Sequence, residues 1–193
     1  MALLVLGLLL FLGVHSTRIF AEGWRASMIR RLGPGPWKGL YSVLSILGFV
    51  LIVIGFRQAR QESLVLWVSP GWMKHVTALL MVLAMVLFVA PYIPGNWFKA
   101  QFHHPQVLSV KTWAVAHLLS VGVVADVVLF GAFLAWAVLD FVSARRRDRI
   151  NNTVYAPANP IGTTIAIAAG LVAWSVFAML LHGPLIGVRP LGY

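Results

Sequence analysis

Long stretches without a single charged side chain constrain this chain more than any other feature. Residues 1–17 and 39–56, the stretch between Lys74 and Lys99, and residues 161–181 contain no Asp, Glu, Lys or Arg. A helix needs roughly 20 mainly apolar residues to cross the hydrocarbon of a bilayer, so each stretch is long enough to span or nearly span it. Of the 193 residues, 60% are hydrophobic and 10% charged, with a mean hydropathy of +0.88, which leaves too little polar surface to cover a soluble globule. Intrinsic disorder is excluded by the same hydrophobicity, and a disulfide scaffold by the absence of cysteine. The net charge of +10 comes from Lys and Arg grouped between the apolar runs. Charge placed there orients helices against anionic lipid, so the expected partner is the bilayer and no nucleic acid.

The expected fold is all-α, a polytopic transmembrane helical bundle of about six spans, with five as the alternative, forming one domain over residues 1–193. Residues 1–17 read as a retained helix: no positive region precedes Leu3, and no small-residue cleavage site lies near Phe20 to Glu22. The Gly33-Pro34-Gly35-Pro36 breaker opens the second run, and Arg57 and Arg60 close it. Trp72 and Trp97 stand as interfacial anchors beside the third run. Residues 104–143 pose the hardest question, because 40 residues of helix would extend about 60 Å, twice the hydrocarbon thickness. Gly122 divides the stretch into spans over 107–120 and 123–142, unless 104–111 lies along the interface and a single tilted helix follows.

Charge favours six spans. With the N-terminus outside, ten basic residues fall inside (Arg18, Arg25, Arg30, Arg31, Lys38, Lys99, Arg145, Arg146, Arg147 and Arg149), against Arg57, Arg60, Lys74 and Arg189 outside. Five spans would divide them 8 against 7.

An ionisable side chain inside a span is costly and defaults to a functional candidate. His15, His117 and Asp126 qualify. His15 is either a nitrogen ligand for haem or another transition metal, or an interfacial histidine bonded to a backbone carbonyl. His117, among the small residues of Ala114-Val115-Ala116-His117, is either a ligand or an interhelical hydrogen-bonding group. Asp126, just after the Gly122 break, reads as a helix cap, with proton transfer as the alternative. His75 and His182 sit at span ends and read as interfacial; His104-Pro105 reads as a helix start. Arg18 and Arg25, seven residues apart and so on one helical face, either meet haem propionates or remain solvated. The sequence holds no HExxH, GxSxG, Walker A or GxGxxG motif. Redox or ligand-binding chemistry through histidine remains.

The ordered set His15-Ser16-x-Arg18 with Arg25, Tyr41-Ser42-x-x-Ser45, His104-Pro105-Gln106, Trp113-Ala114-x-Ala116-His117-Leu118-Leu119 and Phe130-Gly131-x-Phe133 resembles the NnrU family of bacterial membrane proteins. The resemblance runs over about residues 1–150. It implies a multi-pass protein of the bacterial inner membrane, associated with denitrification through the expression or activity of nitrite and nitric oxide reductases. The family is similar to plant zeta-carotene isomerase, an integral membrane haem b enzyme whose iron is bound by two histidines, one of which a cysteine replaces on reduction. By that likeness His15 and His117 are the iron ligands, and haem b is the cofactor. His104 is the non-ligating histidine of the His-Pro motif, and Ala114 stands where the isomerase has cysteine. The alternatives are a haem-dependent polyene isomerase and a cofactor-free membrane assembly factor. If the fourth span enters at His104, His117 lies about 20 Å along the helix, toward the face opposite His15.

Overall fold

A computed structural model describes residues 1–190 of the chain. Nine α-helices follow in order: α1 (Ala2–Phe20), α2 (Glu22–Leu32), α3 (Pro34–Gln61), α4 (Met73–Val89), α5 (Trp97–Phe102), α6 (Pro105–Ser120), α7 (Val124–Ile150), α8 (Pro160–Val176) and α9 (His182–Ile186). The described residues contain no strand; Val65 and Val123 pair only as an isolated antiparallel bridge. Among the described residues five stretches are long and apolar enough to cross a membrane: α1, α3, α4 with the turn that follows it, α7, and the stretch from α8 through α9. Leu9, Ile46, Leu79 and Val172 are each more than half exposed on this surface. In water such a surface would be unfavourable; in lipid it is the expected face. This is a membrane protein.

The sixth rod, α6, has 16 residues and extends about 24 Å, short of the usual thickness of about 30 Å. It packs between α4 and α7. Residues 121–123 divide it from α7, so the expected break within 104–143 is present, and α6 runs without interruption from Pro105. The 62–72 loop lies on this break: Leu66 N donates to Gly122 O (2.6 Å), Val124 N to Leu64 O (3.0 Å) and Ser69 Oγ to Leu119 O (2.9 Å). Met1, the 62–72 loop and the 121–123 turn therefore share one end of the bundle. The basic clusters of α2 and of the α7 terminus occupy the other.

Helix boundaries follow from local chemistry. Pro34, Pro105 and Pro160 stand at first helical positions, where the missing N–H is not needed. Asn159 caps α8 by accepting from Gly162 N (2.7 Å), and buried Asn96 caps α5 by accepting from Lys99 N (2.9 Å). Two expectations are corrected here. Asp126 does not cap α7: it lies within the first turn, and Ser63 Oγ accepts from Ala125 N instead (2.9 Å), because the 62–72 loop brings its hydroxyl to the helix start. Arg18 and Arg25 do not share a helical face, because the chain leaves helical geometry at Ala21 and places them on α1 and α2.

The rods form an open ring. α3 packs on α1, α1 on α7, α7 on α6, α6 on α4 and α4 on α8, whereas the consecutive helices α3 and α4 make little contact. A core of Leu4, Leu8, Ile52, Phe56, Leu129 and Phe130 fills the α1–α3–α7 side. The gap between α3 and the α4–α8 side of the ring becomes the central feature of the molecule.

Candidate functional site

A cavity of about 480 Å³ occupies that gap, lined from α3, α4, α6, α7 and the α8–α9 stretch. Its walls combine aromatic rings and the methionines Met81 and Met85 with aliphatic side chains such as Ile52, Leu129 and Ile186, whereas Arg57, Arg60 and Lys74 line it near the non-basic end. No residue of α1 contributes to the lining. An apolar interior with cations at one end suits a flat, apolar ligand that carries anionic groups.

His117 presents the chemistry. Its Nδ1 lies 2.9 Å from the carbonyl oxygen of Trp113, one turn earlier on α6. A carbonyl only accepts, so Nδ1 carries the proton and Nε2 keeps its lone pair. The ring stacks on Phe130 (centroids 4.5 Å, 20°) and lines the cavity. A backbone carbonyl on the far nitrogen is the usual way to fix the tautomer and orientation of a ligating histidine.

His15 is built alike but placed elsewhere. Its Nδ1 donates to Phe11 O (2.7 Å), and its ring stacks on Phe11 (4.2 Å) beside Tyr41 and Trp136. The rings of Phe11, Phe133 and Trp113 link His15 to His117, with successive centroids 5.8 and 5.3 Å apart. On α7 the neighbours of the two histidines, Trp136 and Phe130, are six positions apart, about 9 Å along the axis. Two imidazole nitrogens on one metal are about 4 Å apart, twice a metal–nitrogen distance of about 2 Å. His117 lines the cavity and His15 does not. Arg18 and Arg25 are also away from the cavity lining, and Arg25 is engaged by Glu22 (2.8 and 3.0 Å). Those hydrogen bonds hold the Glu22 carboxyl below the usual carboxylate range.

Asp126 is fully buried and lines the same cavity, and its carboxylate oxygens accept no hydrogen bond among the described residues. Arg60 Nε stands 3.7 Å from Oδ1, close enough for charge pairing but too far for a hydrogen bond. His104 is occupied at the basic end: its Nε2 lies 2.7 Å from Asp148 Oδ2, and Tyr155 donates its hydroxyl to both Asp148 oxygens (3.1 and 3.0 Å). His103 stacks flat on Tyr155 (4.2 Å, 7°) and meets Arg145. This network pins the start of α6 to the end of α7. Asp148 and Tyr155 carried no motif that would have singled them out, since the contact joins residues 44 to 51 positions apart. His75 is exposed at the start of α4, and Ala114 is fully buried in the core.

Among the described residues no group of three or more His, Cys, Asp or Glu side chains could hold a bare metal ion. A porphyrin supplies its own four nitrogens and asks the protein for only one or two ligands. The chain matches the family described as NnrU protein over residues 3–190. It belongs to the NnrU family. No curated protein and no solved structure matches this NnrU chain.

Proposed function

We propose that this NnrU chain is a haem b-binding protein of the bacterial inner membrane that supports denitrification at the level of nitrite and nitric oxide reductases. The pathway assignment rests on the family resemblance. The cofactor reading rests on one observation: His117 holds an unprotonated Nε2 at an apolar cavity with cations at one end. When bound, haem supplies an iron that accepts one electron or a diatomic ligand such as nitric oxide. The chain's own part is to hold His117 through the Trp113 carbonyl, exclude water with aromatic and methionine side chains, and meet carboxylates with Arg57, Arg60 and Lys74. His15, the partner implied by the isomerase likeness, contributes nothing to this cavity in the present geometry.

The test is the absorption spectrum of detergent-purified protein from haem-replete cells. Wild type is expected to show a Soret band, and His117→Ala to lose most of it. Wild type without haem sinks the reading. The apolar lining also suits a polyene, which keeps an isomerase as the second reading; conversion of zeta-carotene by the purified protein would establish it. Ala114 weakens that reading, because a buried methyl group stands in place of the exchangeable cysteine.

A further inference from the structure

The ring of rods is open between α3 and α8, and the segment after α8 closes it. At Phe177–Leu181 the helix widens into a π-helical turn and resumes as α9 at His182. A π turn inserts an extra residue and so rotates everything after it about the axis; such turns recur at functional positions. Here the rotated residues reach inward. Phe177, Ala178, His182, Leu185 and Ile186 line the cavity, Ile186 packs against the core, and α9 touches α3.

His182 repeats the arrangement seen at His117. Its Nδ1 lies 2.7 Å from the carbonyl oxygen of Val188, so Nδ1 donates and Nε2 keeps its lone pair. Phe177 meets the ring edge-on at 5.8 Å. Two oriented imidazoles, one from α6 and one from α9, thus line one apolar space, and the third candidate, His15, does not. We propose that His182, which lines the cavity where His15 does not, is the second iron ligand beside His117. The assignment rests on the haem reading above and names the ligand that reading leaves open. It also gives the π turn a purpose, since an unbroken α8 would present a different face at residue 182.

The experiment uses the full chain, purified from haem-replete cells, with absorption and electron paramagnetic resonance spectra of the ferric protein. Wild type is expected to be six-coordinate and low-spin. His182→Ala and the size-preserving His182→Gln are expected to retain haem on His117 but convert it to a five-coordinate, high-spin form. Added imidazole should return both to low spin. Gel filtration of His182→Gln separates loss of a ligand from loss of folding. His15→Ala is expected to keep the wild-type spectrum. An unchanged low-spin signal in both His182 variants, or a high-spin signal in His15→Ala, overturns this assignment while leaving haem binding intact. A wild type without any haem overturns the parent reading and this one together, and is recognised by its blank Soret region.

Discussion

Asp126 and His117 meet the same cavity in different states: the histidine has Nδ1 satisfied by a backbone carbonyl, whereas the carboxylate has neither oxygen satisfied among the described residues. Among the described residues, this buried carboxylate without hydrogen bonds depends on the nearby charge of Arg60. Removing one member of a buried pair costs about 3 to 5 kcal/mol, and Arg60 is 31% exposed, so Arg60→Ala should cost about 2 kcal/mol. Asp126→Asn should cost under about 1 kcal/mol, because it removes the charge that needed the partner. The double variant should recover most of the loss. Detergent unfolding followed by tryptophan fluorescence checks this, and equal losses in the single Arg60→Ala and the double variant would contradict it. Tyr155 offers a pH readout at the basic end. Burial, reinforced by its hydrogen bonds to Asp148, pushes its hydroxyl from 10.0 up to about 12. A proton held more tightly in the folded state stabilises fully below pH 10, and the contribution fades as pH rises toward 12. In a tyrosinate absorbance titration, Tyr155→Phe should remove the latest step and Asp148→Asn should bring it earlier.

Glycine sets how closely the helices approach. A Cβ at Gly7 would stand 2.6 Å from Ile52 N, one at Gly48 would stand 2.8 Å from Phe11 N, and one at Gly55 would collide with the Leu4 backbone. These positions let α1 and α3 pack backbone to backbone, the usual basis of tight helix pairs in lipid. Gly55→Val should therefore shift gel filtration from a monodisperse peak to aggregate, whereas Gly39→Val, with nothing within 4 Å, should not. A monodisperse Gly55→Val would show the approach to be dispensable. The long rods were legible because hydropathy alone specifies them, and the 121–123 break was legible because no single helix of that length fits a bilayer. The turn at Ala21 was hidden, since residues 18–25 carry no proline and the break lies in backbone angles alone. The π turn had one sequence signal: Pro184 lacks an N–H, and its ring crowds the carbonyl of Leu180 four residues earlier, which loosens the preceding turn.

The bundle as a whole is polarised. The end carrying α2, α5 and the α7 terminus holds most of the arginines, so the positive-inside rule predicts that it faces the cytoplasm and that the 62–72 loop faces away. Reporter fusions after Arg149 and after Arg60 should read cytoplasmic and external respectively; the same side for both would refute an odd number of crossings between them. At this scale the candidate site was half legible. His117 stood out because an imidazole inside a span demands a reason, but His182 looked interfacial because its position depends on how α8 ends and which rods the ring leaves apart. A ring closed by a five-residue helix also separates two tasks in time. Synthesis runs from the N-terminus, so α1 to α7 can assemble with the gap still open, and His182 arrives only after the rest of the wall exists.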